Sequence, residues 1–257
     1  MHNPVAFDEL AAEAESASVE GWDFSWLNGR ATEERPSWGY ARMLVPRISA
    51  AGAVLDIQTG GGEVLADILA RVPRRPGVLA ATESWPPNAA IARRNLESFG
   101  VGVVEAQDEA ELPFPDASFD LVASRHPTVV LWPEIARVLR PGGRYFSQQV
   151  GAGTNSELTD FMMGPQQIGQ ARSPDRAVQA AQAAGLRVVD LRQESLRVVF
   201  DDVGAVVYFL RKVLWTVPGF TVDGYRERLV CLHDQISNEG PFVSHARRFL
   251  IEAEKPA

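Results

Sequence analysis

The sequence predicts an α/β protein whose centre is a doubly wound, seven-stranded, mostly parallel sheet with an antiparallel edge strand. Three observations carry that expectation. Short apolar runs alternate with helix-like stretches from residue 53 to about residue 150, and parallel neighbours require such crossovers. The first run, Ala53 to Ile57, contains Asp56 and opens into Gly60-Gly61-Gly62, a turn through which a strand can pass tightly into a helix. The last two runs, near residues 186–191 and 248–253, read as an antiparallel pair.

Residues 1–50 read as a helical N-terminal extension. Phe7, Leu10, Ala11 and Ala14 recur at helical spacing, and the aromatic stretch Gly21-Trp22-Asp23-Phe24-Ser25-Trp26-Leu27 follows. Ser37 offers a cap for a second helix carrying Trp38, Tyr40, Met43 and Leu44. The extension either covers the sheet edge or lies as a lid over a pocket. Strand one is set at about 53–57, with its helix at 63–71. Strand two, 78–82, ends at Glu83; Asn88 then caps a helix running to about Ser98 and stopped by Gly100. Strands three and four fall at 101–106 and 119–123. Pro133 starts a helix that Pro141-Gly142-Gly143 ends, and strand five is 144–150. Ser173-Pro174 opens an alanine-rich helix ended by Gly185, and strand six follows. Helices near 203–214 and 222–237 form a late insertion, about 203–240, before the final strand. No linker interrupts residues 51–257, which read as one domain.

Composition narrows the function classes. The 257 residues are 46% hydrophobic and 23% charged, as in an ordinary globular chain. No apolar stretch approaches the roughly 20 residues that cross a bilayer. The N-terminus lacks the basic and apolar regions of a signal peptide, so a cytoplasmic location without membrane insertion is expected. Cys231 is the only cysteine, which excludes an internal disulfide and a cysteine-based zinc site; no metal is called for. The net charge of −8 argues against a large nucleic-acid surface.

Chemistry-bearing residues fall at successive strand ends. Asp56 precedes the glycines, Glu83 closes strand two, Asp108 follows strand three, and Arg125-His126 follow strand four. In a doubly wound sheet these ends share one crevice. A carboxylate at the end of strand two suits ribose hydroxyls, and one after strand three suits an exocyclic amine.

In these blocks the chain resembles the class I S-adenosylmethionine-dependent methyltransferases, in the branch that holds the ubiquinone and menaquinone methyltransferases. The blocks are Val54-Leu55-Asp56-Ile57-Gln58-Thr59-Gly60-Gly61-Gly62, Glu83, Asp108 through Asp120 with its Leu112-Pro113-Phe114-Pro115-Asp116, and Ile135 through Gly143. They cover about residues 50–150. The resemblance implies a Rossmann-like fold with a late strand inserted antiparallel, and S-adenosyl-L-methionine as cofactor. It places Gln58, Gly60 and Gly62 against the methionine part and Glu83 on the ribose, with Asp56 and Thr59 also cofactor-binding. Ser84 and Trp85 would flank the adenine, Asp108 and Glu109 would meet its amine side, and Arg125 would face the sulfonium. One position departs from the family: its first turn glycine is Gln58 here, a side chain that would hydrogen-bond the methionine carboxylate or the N-terminal lid, or weaken cofactor binding.

Methyl transfer is an in-line displacement in which the protein aligns the acceptor and excludes water. His126 is the candidate general base for a hydroxyl acceptor; otherwise it packs beside Pro127. Of Gln148 and Gln149, strand alternation lets one face the pocket, and Gln149 is assigned. Trp26, Tyr40, Tyr208 and Trp215, with Trp22, Trp38, Phe209 and Phe220 nearby, are the candidates for an apolar acceptor pocket. The expected function is methyl transfer to oxygen, nitrogen or carbon of a small molecule, with a homodimer left open. An RNA base methyltransferase and a cofactor-binding protein without turnover are the alternatives.

Overall fold

A computed structural model describes residues 6–19 and 24–257. Trp22 lies outside the described residues. The alternation resolves into eight strands and nine α-helices among the described residues. In chain order these are α1 (Phe7–Ser16), β1 (Ala31–Glu33), α2 (Tyr40–Ala50), β2 (Ala53–Asp56), α3 (Glu63–Leu69), β3 (Val78–Glu83), α4 (Pro86–Leu96) and β4 (Gly102–Glu105). Then come β5 (Phe119–Arg125), α5 (Trp132–Val138), β6 (Leu139–Val150), α6 (Ser156–Met163), α7 (Pro174–Ala183), β7 (Arg187–Phe200), α8 (Val203–Lys212), α9 (Arg226–Glu239) and β8 (Phe242–Glu254). The strand order is β1-β7-β8-β6-β5-β2-β3-β4. Pairs β2·β3, β2·β5, β3·β4 and β5·β6 are parallel, whereas β8 runs antiparallel to β6 and β1 antiparallel to β7. No helix among the described residues is long and apolar enough to cross a membrane.

The expected strand count of seven is corrected to eight. The extra strand, β1, has three residues, too few to show alternation. It exists because its backbone pairs with Val198–Phe200, framed by Asp201 N donating to Arg30 O at 2.8 Å and Glu34 N to Arg197 O at 3.0 Å. Other local expectations shift in the same way. Asn88 lies buried inside α4, behind Pro86 and Pro87, and does not cap it. Ser37 does not cap α2; Gly39 stands there, and the Ser37 hydroxyl donates to Glu194. Ser173 does cap α7, accepting from Arg176 N at 3.3 Å. Pro141-Gly142-Gly143 lies within β6, after α5 has ended at Val138. A Cβ on Gly143 would stand 2.8 Å from Arg140 O and 3.2 Å from Phe119 O, so this residue admits no side chain beside β5. Helix α6 has no counterpart in the sequence reading.

Packing divides the chain into two compact units, one of Met1–Arg35, Ala152–Gly169 and Ser195–Arg247, the other of Pro36–Gly151, Gln170–Glu194 and Arg248–Ala257. A boundary at residue 50 therefore falls inside the second unit, just after α2. The first unit has one core, built on the nearly all-buried α8 with Phe7, Ala11 and Ala14 of α1, Leu158 and Met162 of α6, and Leu229 and Leu232 of α9. Asp202 caps α8 by accepting from Ala205 N at 2.8 Å, and Arg30 holds that carboxylate with two bonds of 2.8 and 2.9 Å.

The second unit has two cores because its parallel strands are buried on both faces. Val54, Ala81, Leu121, Ala123, Phe146 and Leu250 pack with α2, α3 and α4. Ala53, Leu55, Ala80, Val122, Tyr145, Phe249 and Ile251 pack with α5 and α7. The period-2 alternation of strand side chains sorts them into these two sets.

Candidate active site

The site grows from the C-terminal end of β2. All four residues of that strand are buried, and burial pushes the Asp56 carboxyl up to about 7. The turn that follows is pinned by main-chain bonds: Ile57 N donates to Ala123 O at 2.8 Å and Thr59 N to Thr82 O at 2.9 Å. Gly60 N donates to Glu83 Oε2 at 2.8 Å, and Trp85 N to Glu83 Oε1 at 3.0 Å. Glu83, itself buried, thus joins the turn to the end of β3. A side chain on Gly60 would meet nothing within 4 Å, so the turn is open on that side. Gly62 is the opposite case. Its φ is +78°, and a Cβ would come within 2.9 Å of Leu96, so only glycine lets α3 pack this close to α4.

Gln58 occupies the turn position at φ +56°, a left-handed conformation that costs an ordinary side chain about 1–2 kcal/mol. Its amide bonds the loop that follows β5: Nε2 donates to Val129 O at 2.7 Å, and Oε1 accepts from Thr128 N at 2.6 Å. The Thr128 hydroxyl lies 2.6 Å from Asp108 Oδ2 and 3.0 Å from Gln58 Oε1. With one proton to give, it favours the shorter contact with the carboxylate. Gln58, Asp108 and Thr128 therefore join three strand ends, those of β2, β4 and β5. Thr128 carries no signal in sequence, sitting in an unremarkable Pro-Thr-Val-Val run.

Beyond Asp108 the loop is stapled from below. Arg137 donates to Leu112 O at 2.9 Å, Phe114 O at 2.8 Å, Asp116 Oδ1 at 2.9 Å and both oxygens of Glu134 at 2.8 and 2.7 Å. These bonds, the Glu134 carboxylate foremost, hold its guanidinium pKa above the ordinary value. Glu134 Oε2 in turn accepts from Leu112 N at 2.7 Å. The Leu-Pro-Phe-Pro-Asp block and the Ile-Ala-Arg block thus form one structural part.

At the end of β5, Arg125 is exposed and His126 takes φ +55°. His126 N donates to Gln148 O at 2.7 Å, and the two side-chain Nε2 atoms are 2.8 Å apart. Gln148 Oε1 accepts from the buried Trp38 indole at 2.8 Å. Burial, then the charges of Arg125 and Arg248, push the His126 pKa well below its ordinary value and so favour the neutral ring. Gln148, not Gln149, shares the sheet face of Arg125. Gln149 is buried on the other face, with its Nε2 lacking a hydrogen-bond partner of good geometry among the described residues.

The remaining candidates separate. Tyr40 is buried, stacks on Phe146 at 5.4 Å and donates to Ser124 O at 3.1 Å. Ser84 is half-buried, while Trp85 and Glu109 are exposed beside the Glu83 and Asp108 ends. Trp26 and Tyr208 belong to the first unit, where they stack at 4.7 Å with Arg30 over the indole, and Trp215 is exposed in that unit.

Residues 55–147 match the family described as methyltransferase domain. A 27-O-demethylrifamycin SV methyltransferase of Amycolatopsis mediterranei (strain S699) is 30% identical over 172 residues, which is 60% of this chain and 55% of that protein. The chain thus spans about half the length of the curated relative it matches. Among solved structures, the YcgJ protein from Bacillus subtilis aligns with a TM-score of 0.59 at 20% identity over 85% of this chain and 98% of its own. The geranyl diphosphate C-methyltransferase from Streptomyces coelicolor A3(2), solved with Mg2+, geranyl diphosphate and S-adenosyl-L-homocysteine, aligns with a TM-score of 0.50 at 16% identity over 84% and 78%. At these identities the structures establish the fold.

Proposed function

We propose, from the match of residues 55–147 to a methyltransferase domain, that the protein is a class I S-adenosylmethionine-dependent methyltransferase that transfers a methyl group to a small organic acceptor. The observation that carries the reading is the joining of the glycine turn to Glu83, with Asp108 at the next strand end. Two features of the chain fit the cofactor. The turn is open on the side of Gly60, where a ligand can approach the backbone. Each Glu83 oxygen accepts one backbone N–H and keeps a second lone pair for a ribose hydroxyl.

When bound, S-adenosylmethionine supplies a methyl carbon already activated by its positive sulfur. In our reading the backbone of Gln58, Thr59 and Gly60 receives the methionine part, and Glu83 orients the ribose. Asp108 accepts from the adenine amine, with Ser84, Trp85 and Glu109 at its edges. What the protein adds is alignment and the exclusion of water. The 27-O-demethylrifamycin relative favours an oxygen acceptor. The net charge of −8 favours a small molecule over nucleic acid.

Calorimetry with S-adenosylhomocysteine tests this. Micromolar binding that weakens at least tenfold in Glu83→Gln is the expected result, about 1.4 kcal/mol for a lost charged acceptor. No binding at millimolar ligand would defeat the reading.

A further inference from the structure

We propose that His126 is a fixed N–H donor that binds an anionic oxygen of the acceptor, in place of acting as the base that removes its proton. The word acceptor rests on the methyltransferase reading; the state of the ring follows from this chain alone. The Trp38 indole has a hydrogen to give and no lone pair to receive one. The Gln148 atom 2.8 Å from it must be the amide oxygen. The other end of that amide, Nε2, is then a donor, and it lies 2.8 Å from His126 Nε2. Two N–H groups cannot face each other at that distance. His126 Nε2 therefore supplies its lone pair, and the proton of the neutral ring sits on Nδ1. To take up a proton, the ring would have to expel the Gln148 amide, and the amide could then no longer serve both partners.

The charges around the ring say what Nδ1–H would meet. Arg125 pairs across the ladder with Gln148, and Val150 with Arg248. Paired residues share a face, as do positions two apart, so Arg125, Gln148 and Arg248 lie on one face of the sheet. Burial first, and then the charges of these two guanidiniums, disfavour a positive charge on the His126 ring. Both also have other partners, which five N–H donors each can accommodate. An N–H donor on a sheet face that also carries two guanidiniums is suited to an oxyanion. A phenolate or carboxylate acceptor fits: the positive field favours its anion at the site, a hydroxyl's proton passing to bulk water, so that no side-chain base is required.

The test is nitrogen-15 NMR of the histidine-labelled full chain, with His126→Gln identifying the resonance, and benzoate as the probe with and without S-adenosylhomocysteine. We expect an Nδ1–H tautomer whose titration midpoint lies well below the ordinary histidine value. Benzoate should shift the His126 Nδ1 signal, with about tenfold weaker affinity in Arg248→Gln. Trp38→Phe frees the Gln148 amide to turn, so a mixture of tautomers should appear. An Nε2–H tautomer, a midpoint near 6.5, an unchanged lock in Trp38→Phe, or a benzoate response that is absent or identical in Arg248→Gln would each overturn the proposal. A shift caused by S-adenosylhomocysteine but not by benzoate would assign the anion to the cofactor and likewise overturn it. Failure of S-adenosylhomocysteine to bind would defeat the methyltransferase reading while leaving the tautomer result standing.

Discussion

Replacing Gln58 by alanine and by glycine separates two opposed contributions at one residue. The side chain makes two strong bonds, to Val129 O at 2.7 Å and from Thr128 N at 2.6 Å, and shares a third with Asp108. At about 0.5–1.5 kcal/mol each for partly exposed bonds, their loss should cost roughly 1–3 kcal/mol in either variant. Against this stands the backbone at φ +56°. Alanine keeps that strain and glycine relieves it, by about 1–2 kcal/mol. Glycine also loosens the unfolded chain, which returns roughly 0.4–1 kcal/mol of the gain. The alanine variant should therefore be less stable than the glycine variant by about 0.5–1 kcal/mol, the reverse of the usual order. Urea unfolding of the three proteins with a shared m-value reads this directly. An alanine variant as stable as, or more stable than, the glycine variant would refute the assignment of strain. Wild-type stability in both would refute the role of the side-chain bridge.

Two further outcomes follow from the same geometry. Asp56 has its pKa raised by burial from 3.8 to about 7, so it favours the folded state fully only below about pH 4, and that contribution is lost as pH rises to about 7. Asp56→Asn should gain on the wild type by about 2–3 kcal/mol between pH 5 and pH 8 in urea titrations, and a constant difference would contradict the buried-acid account. Arg137→Lys keeps the charge but gives up the planar fork that reaches Leu112 O, Phe114 O, Asp116 and Glu134 together. It should cost about 2–3 kcal/mol and speed hydrogen exchange over residues 108–118; unaltered exchange there would show that the staple is dispensable.

Much of the fold was legible because its signals are local. An apolar run ending in Asp56, glycines at 60–62 and an acid at position 83 specify strand, turn and helix within a few residues. The same locality located the strand-end acids. It failed for β1, whose three residues are a strand only through their pairing partner, and for the Asn88 and Ser37 caps, where neighbouring prolines and a glycine decided the helix starts.

The sequence by itself determined that apolar runs alternate with crossovers and that acids stand at consecutive strand ends, because both follow from periodicity and turn chemistry along the chain. Tertiary structure decided who meets whom. That Gln58 reaches Thr128 and Val129, that Arg137 holds the 112–116 loop, and that Trp38 and His126 share one glutamine amide are contacts between residues 21 to 110 positions apart. Hydrogen-bond donors carry no sequence mark of their acceptors. Only the folded chain brings Trp38 to Gln148, and with that contact the proton on His126 is placed.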